Sequence, residues 1–145
     1  MSRVELAVSC FKEGYICSQA LLSTYGAQLG LDPEIALKVA DGFGGEMARM
    51  GETCGAVTGA FMVIGLRHGR TIVEDAQSHE KTYSLVNEFV RRFQSRNESI
   101  MCRELLGCDI STPEKLNNAR EKQLFTTICP KYVRDAAEII EQILG

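Results

Sequence analysis

The pattern of hydrophobic and polar positions along the chain is helical throughout. Runs of alternating apolar and polar residues between turn residues, which indicate β-strands, are missing. A long helix predicted over residues 73–97 has the apolar stripe Val73, Ala76, Tyr83, Val86, Val90 and Phe93. The last predicted helix begins at Cys129-Pro130 and has the stripe Val133, Ala136, Ala137, Ile140, Ile143 and Leu144. These stripes predict helices that each bury one face.

Helix start signals divide the rest of the chain. Ser2 with Glu5 forms a capping-box pattern, and Asp32-Pro33 and Thr112-Pro113 each place a capping residue before proline. Further helices are predicted from about Cys17 to Gly30, from about residue 52 to 67, and over residues 102–106. The glycine-rich residues 42–51 are predicted to form a loop or a broken helix. The pattern therefore predicts an all-α fold, an irregular bundle of about five to seven helices in a single domain over residues 1–145.

Composition and charge exclude several classes of function. The net charge is −3 and no basic patch is visible, so nucleic acid is not an expected partner. The longest apolar stretch covers residues 53–66, which is shorter than the roughly 20 residues of a spanning helix. A buried core helix is predicted there, with no membrane insertion. Residues 1–16 are charged and lack the apolar region of a secretory signal, so we expect a cytoplasmic protein.

The position of the cysteines is more informative than their number. Structural disulfides are not expected among the six cysteines in a reducing compartment. Four of them precede or open a predicted helix: Cys17, Cys54, Cys102 and Cys129. The N–H groups and partial positive charge of a helix N-terminus favour a thiolate, and can lower a cysteine pKa to about 3.5–7.5. The four are therefore the candidate catalytic residues. Cys10 lies within the first helix and is assigned to packing, and Cys108 is left unassigned.

Three glycines spaced by four residues form a second feature. On a helix, Gly51, Gly55 and Gly59 would lie on one face, where a close backbone approach would offset the cost of glycine in a helix. The approaching group could be another helix, a bound cluster or a second subunit. Gly55 and Gly59 are accordingly candidate cofactor-binding residues, and a homodimer is a candidate assembly.

The ordered cysteines and their surroundings resemble a known family. The matching stretches are Cys17-Ser18-Gln19-Ala20, Phe43-Gly44-Gly45, Gly51 to Ala60, Gly65-Leu66, Cys102 to Gly107, and Cys129-Pro130 before Val133-Arg134-Asp135-Ala136. They are similar to the redox-active proteins named for the pattern C_GCAxxG_C_C, whose signature cysteines fall on the same four residues. The chain departs from the family at Glu46 and Ala48, where glycine is usual.

The resemblance implies a redox role with an unidentified redox partner. A related module in split-Soret cytochromes lies beside haem and a non-haem iron site, which implies metal binding as an alternative. Covalent haem is not expected in this chain, because it has no Cys-x-x-Cys-His sequence. Three hypotheses follow. The cysteines could carry thiol–disulfide exchange or electron transfer, they could bind an iron–sulfur cluster or another metal as thiolates, or the chain could be a non-catalytic helical interaction module.

Overall fold

The computed structural model describes all residues from Met1 to Gly145, and its regular structure is helical. The helical segments are α1 (Arg3–Lys12), α2 (Cys17–Gly26), α3 (Pro33–Asp41), α4 (Gly44–Met47), α5 (Gly55–His68), α6 (Ala76–Asn97), α7 (Cys102–Leu106), α8 (Pro113–Glu121), α9 (Leu124–Thr127) and α10 (Cys129–Leu144), with a 3₁₀ turn at Ala27–Leu29. The predicted all-α fold is confirmed. Eight helices have five residues or more, so the expected five to seven was too low. The difference arises because the chain between α6 and α10 is divided into short helices.

Side-chain capping explains three of the helix starts. Ser2 accepts a hydrogen bond from the N–H of Glu5 at 3.1 Å. Asp32 caps α3 at 3.1 Å, and Thr112 caps α8 at 3.2 Å. Both of the latter helices have proline in the first turn, where its missing N–H costs nothing. All three predicted starts are confirmed.

Helix α5 runs through the centre of the molecule and packs most extensively against α2. Five of its apolar residues are fully buried: Ala56, Val57, Ala60, Val63 and Ile64. The apolar stretch is therefore a core helix, as predicted. No helix combines the length and the apolar character needed to cross a membrane.

The predicted stripe of α6 is only partly correct. The helix starts at Ala76, because the Asp75 side chain caps it by accepting from the N–H of Ser78. Val73 and Tyr83 are 78% and 56% exposed, whereas Phe89 is fully buried. In contrast, α10 buries the stripe from Val133 to Ile140 as predicted, and packs it against α1, α5 and α6.

Candidate functional site

The chain between α3 and α5 has an unusual backbone. All five residues over 45–49 have positive φ angles, and only the first of them is glycine. A non-glycine residue in this left-handed region costs roughly 1–2 kcal/mol. Such a conformation persists only where the surrounding structure holds it in place. In this segment it places the carboxylate of Glu46 inside the protein, where the residue is 7% exposed.

Ala48→Gly is expected to raise the free energy of unfolding by about 0.5–1 kcal/mol, because relief at φ 54° outweighs the greater freedom of glycine in the unfolded chain. Ala76→Gly is the matched control, since Ala76 is an exposed alanine with ordinary helical geometry. That change should lower stability by roughly 0.5–1 kcal/mol. Urea denaturation of both variants measures the contrast, and equal losses would contradict backbone strain at Ala48.

Each of the four signature cysteines lies at the start of a helix. Cys17, Cys102 and Cys129 are the first residues of α2, α7 and α10, and Cys54 directly precedes α5. All four are buried and all are free thiols. Four helix starts from distant parts of the sequence therefore present cysteines to the interior.

Backbone hydrogen bonds join two of these helix starts. The N–H of Cys54 donates to the carbonyl of Ile100 at 2.7 Å, and the N–H of Cys102 donates to the carbonyl of Glu52 at 2.8 Å. Residues 52–54 are thus paired with residues 100–102 in the single β-bridge of the structure. This pairing explains why α5 begins at Gly55 rather than at the predicted residue 52.

Glu46 connects this pair to the rest of the site. Its Oε1 accepts a hydrogen bond from the N–H of Gly55 at 3.1 Å, which satisfies the first free amide of α5. Its carboxylate also interacts with the thiol of Cys102. Every buried side-chain nitrogen and oxygen in the structure has a hydrogen-bond partner.

The remaining two cysteines are neighbours. The Cys129 side chain interacts with the Cys17 thiol, and the charges of Cys54 and Glu46 act on Cys17 as well. The four cysteines and Glu46 therefore form one group in space, which we call the cysteine cluster. The four cysteines are far apart along the chain, but each of them lies at the start of a helix.

The local environment raises thiol pKa values rather than lowering them. Interaction with the Cys129 side chain, followed by burial, raises the pKa of Cys17 well above its ordinary value. Burial, followed by the charge of Glu46, raises the pKa of Cys54 and of Cys102. Helix-terminal N–H groups do lower the pKa of Cys54, but by less than burial raises it. The expectation of lowered pKa values is therefore wrong for these three cysteines.

A cleft of about 820 Å³ reaches one side of the cysteine cluster. Cys17, Cys129 and Glu46 line it, together with the turn after α1 and the segment from α8 to α10. Cys54 and Cys102 are not among the lining residues. The cluster is thus arranged in depth, with Cys17 and Cys129 at the cleft and the other two cysteines behind them.

The predicted glycine face is covered by the chain itself. A Cβ atom at Gly59 would lie 2.8 Å from the Cβ of Leu21 and 3.0 Å from the carbonyl oxygen of Ser18, both in α2. A Cβ atom at Gly55 would lie 3.2 Å from the Ser18 backbone nitrogen. Of the three groups expected to approach this face, the structure shows a helix. Gly51 lies outside α5, with φ 70°, so its predicted place on the helix is wrong.

The other two cysteines lie outside the cluster. Cys10 and Cys108 are partly buried, and the Cys10 sulfur lies 3.8 Å from Ser23 Oγ.

Metal binding is the alternative use of the four signature cysteines. No group of three or more cysteine, histidine, aspartate or glutamate side chains has the geometry to hold a metal ion. As arranged, the side chains therefore lack the geometry of a metal site.

Two members of the site are not evident from the sequence. In the sequence, Glu46 stands out only because glycine is usual at its position in the family. A carboxylate within a glycine-rich segment beside a cysteine motif is nevertheless a signal that could have indicated a site residue. Tyr132 lies in α10, and burial, followed by the charges of Cys129, Cys54 and Cys102, raises its pKa. Its hydroxyl donates to the carbonyl of Leu105 at 2.7 Å. Its place three residues after Cys129 is its one sequence signal.

The comparison with known families agrees with this arrangement of cysteines. The model of the family described as "Putative redox-active protein (C_GCAxxG_C_C)" matches residues 15–143, which is nearly the whole chain and contains all four cysteines of the cluster.

The chain belongs to the C_GCAxxG_C_C family. Comparisons with curated proteins and with solved structures gave no match. The C_GCAxxG_C_C family is described as redox-active. The structure adds that the signature cysteines of this member share one buried cluster.

Glu46→Gln is expected to lower the pKa of Cys54 and Cys102, because the charge that opposes their ionisation is removed while burial is unchanged. At a fixed alkaline pH both thiols should then react faster with iodoacetamide. Mass spectrometry of the alkylated peptides as a function of pH measures this change. Glu104→Gln, an exposed carboxylate on α7, is the control and should leave the profile unchanged. A Glu46→Gln profile that moves to higher pH would contradict the arrangement.

Proposed function

We propose that this C_GCAxxG_C_C protein is a thiol–disulfide redox protein whose reacting pair is Cys17 and Cys129. The observation that carries the proposal is that the side chains of these two cysteines interact and both line the cleft. A dithiol that exchanges with a substrate needs one thiol within reach of the substrate and a second within reach of the first. Cys17 and Cys129 meet both requirements.

The exchange proceeds in two steps. One thiol, as the thiolate, attacks a substrate disulfide, forms a mixed disulfide and releases the first substrate thiolate. The second protein thiol loses its proton and attacks the mixed disulfide, which forms the Cys17–Cys129 disulfide and releases the second substrate thiolate. Two protein thiols are oxidised, one disulfide is reduced, and the two protons pass to the released thiolates. The reverse reaction returns the pair to its reduced form.

Cys54 and Cys102 have a supporting role in this proposal. They lie behind the reacting pair, and burial raises the pKa of both thiols, so they stay protonated at neutral pH. Cys54 acts electrostatically on Cys17, and Glu46 acts on Cys17, Cys54 and Cys102. A negative charge on one member of the cluster therefore opposes the ionisation of a second member nearby. This favours the movement of protons between members over the accumulation of several thiolates.

Counting free thiols tests the proposal. Mild oxidation of the reduced protein should remove two thiols reversibly, and Cys17→Ser and Cys129→Ser should each abolish that loss. Cys10→Ser and Cys108→Ser are matched controls, because these cysteines lie outside the cluster, and each should still lose two thiols. Reduction with dithiothreitol should restore the original count in every reversible case.

Two outcomes would contradict the proposal. An unchanged thiol count, with serine variants that alter only stability, would favour the non-catalytic interaction module. A coloured protein that contains iron and sulfide after anaerobic purification would favour the iron–sulfur alternative, and would require the four cysteines to be rearranged into a set with metal-binding geometry.

A further inference from the structure

The cleft beside Cys17 and Cys129 has the size of a small-molecule site. Its volume of about 820 Å³ falls within the roughly 300–1,000 Å³ typical of ligand pockets. Apolar side chains line much of it, including Phe11, Ile16 and Phe125. The walls can therefore contact the carbon skeleton of a small molecule whose sulfur reaches the thiol pair.

Three cationic side chains surround the same cleft. Lys12 lies at the end of α1, Arg49 follows α4, and Arg120 lies in the last turn of α8. They project from three separate parts of the chain, and none of them forms a salt bridge in the structure. Several other lysine and arginine residues are likewise outside salt bridges, so the informative feature is convergence on one cleft.

The carboxylates of the cleft do not neutralise these cations. Asp41 and Glu46 are the acidic residues of the lining, and neither is bonded to Lys12, Arg49 or Arg120. Glu46 instead faces Gly55 and Cys102. The cleft thus has three cations and two acidic groups in a chain with 16 basic and 19 acidic residues, so its charge is opposite in sign to that of the whole protein.

We propose that the cleft selects small disulfides that carry carboxylate groups, with Lys12, Arg49 and Arg120 binding the carboxylates while the substrate sulfur meets the Cys17–Cys129 pair. This inference rests on the proposed function and names its substrate class. Cationic clefts raise the local concentration of anionic substrates and increase their association rate by about tenfold or more. The chemical step is the same two-step exchange, in which the carboxylate-bearing disulfide is reduced to two thiols.

Two disulfides of similar size separate charge recognition from thiol chemistry. Dithiodiglycolate carries two carboxylates, and hydroxyethyl disulfide is neutral. The rate of thiol loss from the reduced full-length protein is measured with each disulfide, and the ratio of the two rates is taken. To correct for the intrinsic reactivity of the two disulfides, this ratio is divided by the same ratio for the protein unfolded in urea. The native protein is expected to prefer dithiodiglycolate by about tenfold after this correction.

The triple variant Lys12→Gln/Arg49→Gln/Arg120→Gln should lose the preference for dithiodiglycolate. The matched control is Arg67→Gln/Lys81→Gln/Arg91→Gln, which removes three exposed cations that lie outside the cleft and form no salt bridge. It should retain the preference. Equal corrected rates for the two disulfides, or a preference that survives in the first triple variant, would overturn the substrate class while leaving the exchange function intact. Absence of reaction with both disulfides would overturn both.

Discussion

Phe89→Ala is expected to lower the free energy of unfolding by about 3–5 kcal/mol. The Phe89 ring is fully buried and lies 6.2 Å from the ring of Phe61 in an edge-on arrangement and 5.9 Å from that of Phe93. Truncation removes these contacts and leaves a cavity between α5 and α6 that the surrounding helices can close only in part.

Tyr83→Ala on the same helix is the control. Tyr83 is 56% exposed, so its loss should change stability by no more than about 0.5 kcal/mol. Chemical denaturation of the two variants therefore tests the orientation of α6. Similar losses would indicate that the helix is rotated toward the stripe expected from sequence, which included Tyr83.

Gly59→Ala is the second substitution with a large expected effect. The new methyl group would lie 2.8 Å from the Cβ of Leu21 and 3.0 Å from the backbone oxygen of Ser18, so α2 must move to admit it. Overpacking of this kind costs about 1–3 kcal/mol, against a gain in helix propensity of up to about 1 kcal/mol. Because α2 begins at Cys17, the shift should also weaken the contact between Cys17 and Cys129 and slow thiol exchange.

Gly65→Ala provides the matched control for this substitution. Gly65 lies in the same helix and has no neighbouring atom within 4 Å of a Cβ position. It gains the same helix propensity without the clash, so the variant should be more stable than the parent protein. Thermal denaturation should shift the two alanine variants in opposite directions, and the thiol-exchange rate should fall only in Gly59→Ala. A stabilised Gly59→Ala protein would show that α2 and α5 pack less closely than these distances require.

The fold was largely predictable because its signals are local. Capping residues such as Ser2, Asp32 and Thr112 act within one turn of the helix that they start, and the stripe of α10 lies within one element. The stripe of α6 was predicted less well. Its exposed Tyr83 and buried Phe89 are distinguished by their neighbours in other helices, which periodicity within α6 does not specify.

The helix-start positions of the four clustered cysteines were predictable from the sequence, but their electrostatics were not. A helix-start position identifies Cys17, Cys54, Cys102 and Cys129 from the sequence, but the pKa of a buried thiol depends on burial and on charges brought close by folding. Glu46 shows the reason most clearly. Its carboxylate reaches the cluster through a run of left-handed backbone that sequence propensity disfavours at a non-glycine residue.

The disulfide formed on mild oxidation tests the proposed reacting pair most directly. Trypsin places each of the six cysteines in its own peptide, with Cys17 in residues 13–38 and Cys129 in residues 123–131. Mass spectrometry of the non-reduced digest of the oxidised protein should show these two peptides linked, while the peptides of Cys10 and Cys108 remain unlinked. A digest without that linked pair, or with Cys17 and Cys129 each joined to a different cysteine, would contradict the arrangement on which the proposed function depends.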